Sequence, residues 1–261
     1  MILAPGTILQ LMYFKERLRR IKPGYFIEMG VGRGDLSKVL LDHGWRGRGY
    51  ELNPQAAQAA KHLNREAVDQ GRYQVLRTDW LRSGRLVQAD LVVSSMVLEH
   101  LNEKDEAKYF QKAWKALKPE GRMILLVPAC PDYWGLEDEI AGHYRRYTAR
   151  ELEAKARKSG WKIVDRAGLC YPLCNWLFPI SDLLVKRSES GKRKLSMTQR
   201  TKLSGYREVP FKTLYPWVFK FVLNPVVLYP FHWLQKMYRE NSRCIVLYGE
   251  FTRAESRTKA A

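Results

Sequence analysis

The chain has 261 residues, 46% of them hydrophobic, and a formal net charge of +18. This apolar content predicts a packed core and excludes an intrinsically disordered chain. Four scattered cysteines are too few for the framework of a disulfide-rich secreted protein. The basic charge is compatible with nucleic acid, an anionic membrane surface or an anionic small molecule, and also with a merely solvated surface.

The cysteines and the N-terminus also bear on metal content and location. Cys170 and Cys174 could form half of a metal site, but no second Cys/His pair stands at ligand spacing, so we expect no metal. The first residues lack the features of a secretory signal. We therefore expect a cytoplasmic protein, with peripheral attachment at the inner membrane face as an open alternative.

Strand-like and helix-like segments alternate between residues 25 and 166. The predicted strands are 25–29, 47–52, 73–78, 91–95, 123–127, 161–166 and, later, 244–251. The predicted helices are 35–42, 54–69, 104–117 and 148–159. Such alternation indicates βαβ units. The sequence therefore predicts an α/β fold with a mostly parallel seven-stranded sheet and helices on both faces.

The composition divides the chain into three parts. Residues 1–24 predict an N-terminal helical lid, and residues 25–168 with 244–252 form the sheet domain. Residues 169–243, rich in aromatics and prolines, predict a long insertion before the last strand. The insertion could be a substrate lid, a membrane-contacting element or an oligomer interface. Prolines and polar residues interrupt its apolar part at 214–234, and residues 186–202 are basic, which suits an anionic membrane surface better than a bilayer span.

A glycine-rich loop follows the first predicted strand. Gly30, Gly32 and Gly34 occupy alternate positions before a helix, where glycine lets the backbone turn sharply and approach a ligand. Glu51 ends the second strand, where a carboxylate can accept hydrogen bonds from both ribose hydroxyls of an adenosine. These features alone do not distinguish a nicotinamide dinucleotide from another adenosine cofactor.

A carboxylate and an indole follow the third predicted strand. Asp79 could accept a hydrogen bond from an adenine amino group, and Trp80 could pack on the ring. Asp79 could also simply cap the following turn. The pair is therefore a candidate adenine site.

Five segments, in order over residues 25–128, resemble the motifs of class I, Rossmann-like S-adenosylmethionine-dependent methyltransferases of the small-molecule or lipid type. They are FIEMGVGRGDLSKVL, YELNP, TDW, DLVVSSMVLEHL and LKPEGRMILLVP. The resemblance implies S-adenosyl-L-methionine as cofactor. It implies cofactor contacts at Tyr13, Glu28, Gly30, Gly32, Gly34, Glu51, Leu52, Asp79, Trp80, Ser95 and Met96.

The acceptor side is expected beyond the fourth and fifth strands. His100 could remove the acceptor proton, since a neutral imidazole suits that task near neutral pH, or it could cap a helix. Arg145 and Arg146 could bind a phosphate or carboxylate bidentately, or belong to an ordinary basic loop. The candidate acceptor-binding residues are Trp134, His143, Tyr144, Arg145, Arg146 and Tyr147.

Together these features predict an enzyme that methylates an oxygen or nitrogen of a small anionic or amphipathic, lipid-like metabolite. The alternatives are an RNA methyltransferase and a non-catalytic cofactor-binding scaffold. Nucleic acid is the weaker expectation, because no RNA-binding domain is evident and SSMVLEHL lacks the Asn/Asp-Pro-Pro-aromatic signature. The acceptor, the number of methyl groups and the oligomeric state stay open.

Overall fold

The computed structural model describes residues 2–84, 86–189, 196, 199–200, 209–213 and 215–254. Its strands are β1 (Tyr25–Met29), β2 (Arg46–Tyr50), β3 (Tyr73–Leu76), β4 (Ala89–Ser95), β5 (Leu117–Pro128), β6 (Trp161–Leu169) and β7 (Val246–Arg253). They form one sheet in the order β3-β2-β1-β4-β5-β7-β6, and β7 is antiparallel to both of its neighbours. The predicted mostly parallel seven-stranded sheet is confirmed.

Helices cover both faces of this sheet. They are α1 (Pro5–Leu18), α2 (Asp35–Asp42), α3 (Pro54–Leu63), α4 (Arg65–Asp69), α5 (Glu103–Ala116), α6 (Leu136–Ala141), α7 (Ala149–Lys158), α8 (Leu173–Glu189) and α9 (Tyr229–Met237). The single helix predicted over 54–69 is divided at Asn64. That residue leaves helical geometry, and its amide donates hydrogen bonds to the carbonyls of Gly34 and Ala60. Asn64 thus connects the end of α3 to Gly34, the residue before α2.

The strands alternate their side chains between two apolar layers. Leu91 and Val93 of β4 pack in the layer that includes α1 and α2, whereas Val92 packs in the layer that includes α5 and α7. This alternation follows from the two-residue repeat of a strand. Because both faces are covered, the central strands β4 and β5 contain continuous buried apolar runs, at Leu91–Val93 and Met123–Val127.

The N-terminal helix α1 packs against the sheet rather than standing apart. Arg17 donates hydrogen bonds to the fully buried carboxylate of Glu250 on β7, with a shortest N–O distance of 2.7 Å. The carboxylate of Glu16 lies 2.8 Å from Nε2 of His232 on α9. The predicted N-terminal helix is thus present, and it is held by the last strand and by the insertion.

The described part of the insertion exposes a large apolar surface. No helix among the described residues is long and apolar enough to span a bilayer. The exposed side chains are Trp176, Leu177, Ile180, Leu183, Phe211, Trp217, Val218, Phe221, Val222, Val226, Val227, Tyr229, Trp233, Met237 and Tyr238. Much of the basic segment 186–202, including Lys192, Arg193 and Lys194, lies outside the described residues.

Candidate active site

A cavity of about 470 Å³ opens at the carboxyl ends of β1, β2 and β4. Open α/β sheets bind their ligands at this edge, where the strand order reverses. Its volume lies within the range of small-molecule sites. Predicted residues that line it are Gly30, Gly32, Glu51, Leu52, Asp79, Trp80, Ser95, Met96, His100, His143 and Arg146. The fold thus brings most of the predicted cofactor side and part of the predicted acceptor side into one space.

The glycine loop adopts the backbone conformations that only glycine reaches easily. Gly30 and Gly32 have φ angles of 75° and 55°. A Cβ on Gly30 would lie 2.3 Å from Cγ2 of Val97, whereas a Cβ on Gly32 would meet no protein atom within 4 Å. Gly32 therefore borders open space. A side chain at Gly30 would clash with the protein itself, whereas a side chain at Gly32 would enter space that is open to a ligand.

Glu51 is oriented by the same loop. One of its carboxylate oxygens accepts a hydrogen bond of 2.8 Å from the amide of Gly32, and the other accepts one from the amide of Asn53 at 2.8 Å. Each carboxylate oxygen can accept a further hydrogen bond. The end of β2 thus presents a fixed acceptor pair at the cavity wall.

Gly34 and Glu28 support the loop from behind the main cavity. Gly34 has a φ of 90°, and a Cβ there would lie 2.9 Å from Cα of Ala60, so glycine permits the close packing of α2 on α3. Glu28 is buried and accepts a hydrogen bond from Ser37. Neither residue lines the main cavity, although Glu28 borders a smaller adjoining one.

The predicted adenine side lies after β3. Oδ1 of Asp79 accepts a hydrogen bond of 2.8 Å from the amide of Leu81, so Asp79 does cap the turn while it also lines the cavity. Trp80 is buried edge-on against Tyr109, with ring centroids 5.6 Å apart. Leu52 is half exposed at the cavity mouth. The carboxylate of Asp79 and the indole of Trp80 are therefore neighbours in the cavity wall.

Ser95 ends β4 at the cavity, and Met96 follows it there. Met96 has an unusual φ of 54°, and its amide donates a hydrogen bond of 2.8 Å to the carbonyl of Leu126 on β5. Strained backbone of this kind concentrates at functional sites. The turn redirects the chain along the cavity.

Tyr13, predicted as a cofactor contact, does not line the cavity in this structure. Its hydroxyl donates a hydrogen bond of 3.0 Å to Asp165 on β6, and its ring packs edge-on against Tyr248. Instead, α1 sends Thr7 and Gln10 to the smaller cavity of about 180 Å³ beside the glycine loop. The helical period did not show which face of α1 would meet the sheet.

The acceptor side contains two histidines and a buried carboxyl group. His100 and His143 lie edge-on, with ring centroids 4.6 Å apart. Glu99 is fully buried, and one of its oxygens lies 3.9 Å from Nε2 of His143. The amide of Tyr144 donates a 2.7 Å hydrogen bond to the carbonyl of Glu99, which holds the two loops together. We call Glu99, His100 and His143 the acceptor-side cluster.

Burial dominates the ionisation of Glu99. Loss of solvent raises the pKa of its carboxyl to about 7, although the neighbouring His143 acts in the opposite direction. Glu99 therefore does not face solvent in this structure.

His143 is fixed by a second buried carboxylate. Its Nδ1 lies 2.8 Å from Oδ1 of Asp138, and Arg146 holds Asp138 through bonds of 3.0 and 2.9 Å from its Nε. Burial opposes the ionisation of Asp138, but the hydrogen bond from His143 and the charge of Arg146 outweigh it and lower its pKa. Arg146 thus serves an internal carboxylate and is not available as a bidentate anion clamp.

Arg145 and Tyr147, predicted to bind the acceptor, do not line the main cavity in this structure and instead contact α5. Arg145 donates a 2.7 Å hydrogen bond to one oxygen of Glu106 on α5, and the hydroxyl of Tyr147 donates one of 2.6 Å to the other. Trp134 and Tyr144 are exposed and do not line the main cavity. Of the predicted acceptor-binding residues, His143 and Arg146 therefore border it.

Comparison with known proteins agrees with this arrangement. A family model described as a methyltransferase domain matches residues 8–166, more than half of the chain. The chain belongs to the methyltransferase domain family. The predicted family and enzyme class of this methyltransferase are thereby confirmed. No curated protein matches the methyltransferase significantly.

Solved structures share the fold at low identity. An S-adenosylmethionine-dependent methyltransferase from Clostridium acetobutylicum ATCC 824 is 11% identical, with a TM-score of 0.54 over 95% of this chain and 91% of that chain. The glycopeptide N-methyltransferase MtfA complexed with sinefungin is 17% identical, with a TM-score of 0.50 over 64% of this chain and 80% of that chain.

A third structure matches in part only. The mitomycin 7-O-methyltransferase MmcR is 19% identical, with a TM-score of 0.49 over 62% of this chain and 50% of that chain. The methyltransferase thus spans about half the length of that relative. The likeness to the Clostridium acetobutylicum structure shows the fold and confirms the predicted Rossmann-like architecture.

Proposed function

We propose that the chain transfers a methyl group from S-adenosyl-L-methionine to an oxygen or nitrogen of a small amphipathic, lipid-like acceptor. One observation carries the proposal: a single cavity joins the glycine loop and Glu51 to the acceptor-side cluster. Methyl transfer is an in-line displacement, so donor and acceptor must share one space in a fixed orientation. The cavity provides separate walls for the two.

On the donor side, the proposal places the ribose at the carboxylate of Glu51 and the adenine between Asp79 and Trp80. The free acceptor capacity of Glu51 and the aromatic surface of Trp80 support this placement. The methionine portion would extend along Gly30 and Ser95, toward the smaller cavity beside α1.

On the acceptor side, the proposal assigns removal of the acceptor proton to the acceptor-side cluster. Oxygen and ammonium acceptors must lose a proton for methylation, and His100 borders the cavity at that side. Replacing His100 with Ala should lower turnover about 10²-fold or more while leaving cofactor affinity nearly unchanged. The anion clamp predicted at Arg145 and Arg146 is not part of the proposal, because both guanidinium groups serve buried carboxylates.

The amphipathic nature of the acceptor is proposed from the exposed surface of the insertion. Exposed apolar side chains of such extent mark interaction surfaces. Trp176 of α8 lies 6.3 Å from Phe231 of α9 between ring centroids, which makes the apolar surface continuous across the two helices. The Nζ of Lys220 lies 5.3 Å above the ring of Trp217. Aromatics with basic neighbours suit the interface of an anionic bilayer.

Isotope-labelled S-adenosylmethionine tests the proposal. The protein is incubated with labelled cofactor and, separately, with the aqueous metabolites, the lipid extract and the RNA of a bacterium. The proposal expects label in the lipid fraction and its loss with His100→Ala. Label in RNA would favour the RNA methyltransferase, and binding of cofactor without any transfer would favour the non-catalytic scaffold.

A further inference from the structure

Two electron-pair donors face each other at the acceptor wall of the cavity. Nδ1 of His143 lies 2.8 Å from Oδ1 of Asp138, so Nε2 is the ring nitrogen that remains to interact with Glu99. Nε2 then lies 3.9 Å from a carboxylate oxygen of Glu99. A cation placed between these two atoms would contact both groups.

The carboxyl group of Glu99 is the least satisfied group of this wall. It is fully buried and lines the cavity, and no side chain of the described residues donates a hydrogen bond to either of its oxygens. Buried polar groups normally have partners, and an exception needs an explanation. The missing partner therefore belongs on the cavity side.

His100 completes a set of three ligand groups. One ligand atom from each of Glu99, His100 and His143 lies within 4.8 Å of the other two. Two imidazoles and one carboxylate suit Zn²⁺, Mn²⁺ or Fe²⁺ and leave coordination positions open to a substrate. The three residues come from two loops 43 positions apart, which is why sequence spacing led us to expect no metal.

The surroundings of His143 have the form of a metal ligand's outer shell. Ligating histidines usually donate their second ring N–H to a carboxylate, which fixes the ring and its tautomer. Here Asp138 accepts that bond, while Arg146 and the amide of Gly135 hold Asp138 in turn. The ion pair with Asp138 also neutralises Arg146, the cationic group beside the site.

We propose that Glu99, His100 and His143 bind one divalent transition-metal ion that faces the acceptor. The inference rests on the proposed function and deepens it: His100 is then a ligand, and the cluster promotes loss of the acceptor proton to solvent through the bound cation, which would stabilise the charge that the acceptor oxygen gains. The acceptor class would be one with an ionisable hydroxyl.

Binding of Mn²⁺ tests the proposal. Mn²⁺ avoids the thiols of the four free cysteines, so binding reports on nitrogen and oxygen ligands. Tag-free protein is stripped with a chelator and titrated with Mn²⁺, and free ion is followed by electron paramagnetic resonance. We expect one equivalent to bind. Glu99→Gln and His143→Ala should each weaken binding at least tenfold, and Asp138→Asn should weaken it about 10- to 100-fold.

His62→Ala, a histidine on the exposed side of α3, is the matched control and should bind Mn²⁺ like the wild type. Thermal unfolding verifies that each variant is folded, and the near-isosteric Glu99→Gln keeps the test valid if His143→Ala does not fold. Absence of stoichiometric Mn²⁺, or equal affinity in wild type and Glu99→Gln, overturns the metal site.

Calorimetry with S-adenosylmethionine on the same chelated samples separates this inference from the proposed function. Cofactor binding and methyl transfer that persist undiminished without metal overturn the metal site alone. Metal binding without any cofactor binding overturns the proposed function alone.

Discussion

At the scale of single residues, Glu28 shows how burial sets protonation. Burial raises the pKa of its carboxyl to about 8, and the negative charges of Glu51 and Asp35 act in the same direction, against the hydrogen bond from Ser37. The folded protein therefore keeps this proton at pH values where the unfolded chain has lost it. The stabilisation is complete below the ordinary glutamate pKa and is lost as the pH rises through about 8.

Glu28→Gln should flatten the pH dependence of stability. The amide cannot ionise, so the variant should lose less stability than the wild type between pH 5 and 8. The difference should be on the order of 1 kcal/mol or more, since one pKa unit corresponds to about 1.4 kcal/mol. Urea unfolding across this range measures it. Glu66→Gln, at an exposed site on α4, should keep the wild-type slope, and a Glu28→Gln slope equal to that control would contradict the expectation.

We expect Arg146 to contribute to the stability of the fold rather than to acceptor binding. Arg146→Ala leaves the buried carboxylate of Asp138 without its cation, which should lower the free energy of unfolding by about 3 kcal/mol. Chemical denaturation measures the change. The control is Arg82→Ala, because Arg82 is 83% exposed beside Asp79 and should change stability little. A fully stable Arg146→Ala with only a raised acceptor KM would restore the anion-clamp hypothesis.

At the scale of elements, α8 presents apolar side chains to solvent. Trp176, Ile180 and Leu183 follow one another at intervals of three to four residues, so they share one helix face, and all three are exposed. An isolated exposed apolar residue needs no explanation, but an ordered stripe on one face does. Among the described residues, this face of α8 is thus an exposed apolar stripe.

Ile180→Glu should weaken vesicle binding if this stripe contacts a bilayer. Removing one buried aliphatic side chain from the interface costs about 1.5–3 kcal/mol, so the partition coefficient should fall about tenfold or more. Sedimentation with phosphatidylglycerol vesicles measures it, and binding should decrease with salt. Leu63→Glu changes an exposed leucine on α3 and should bind like the wild type. Equal binding by Ile180→Glu and wild type would contradict membrane contact through α8.

At the scale of the whole molecule, hydrogen bonds join α1 and β7 to distant parts of the chain. Glu250 on β7 accepts hydrogen bonds from Arg17 on α1 and from Arg122 on β5. Gln235 of α9 donates to the carbonyl of Leu9 on α1. The helix beside the small cavity is therefore fastened to the end of the chain, and a ligand in the cavity should stabilise the entire fold.

S-adenosylhomocysteine should raise the melting temperature by linkage. A ligand that binds only the native state at 100 times its Kd adds about 2.7 kcal/mol to the free energy of unfolding. Scanning calorimetry measures the shift, which should shrink for Glu51→Ala and persist for Glu120→Ala, an exposed site on β5. A shift with a nicotinamide dinucleotide in place of S-adenosylhomocysteine would contradict the cofactor assignment.

The sequence alone was sufficient where the determining forces are local. β1 and α2 begin and end at the predicted residues, because a buried strand followed by a left-handed glycine turn restricts the chain within a few residues. The position of Glu51 at the cavity follows from the same logic, since the end of a parallel strand next to β1 must lie at the same edge. Fold, family motifs and the donor wall were therefore predictable.

Tertiary structure decided the acceptor wall, because there the role of a side chain depends on its partner. Arg145 donates a hydrogen bond to Glu106, which is 39 residues distant in sequence, and Tyr13 donates one to Asp165, which is 152 residues distant. Neither side chain therefore lines the cavity. The sequence pattern shows which residues are polar. It does not show which carboxylate each of these side chains will contact in the fold. The same long-range packing buried Glu99 and set it beside His143, a juxtaposition that exists only once β4 and β5 lie next to each other in the sheet.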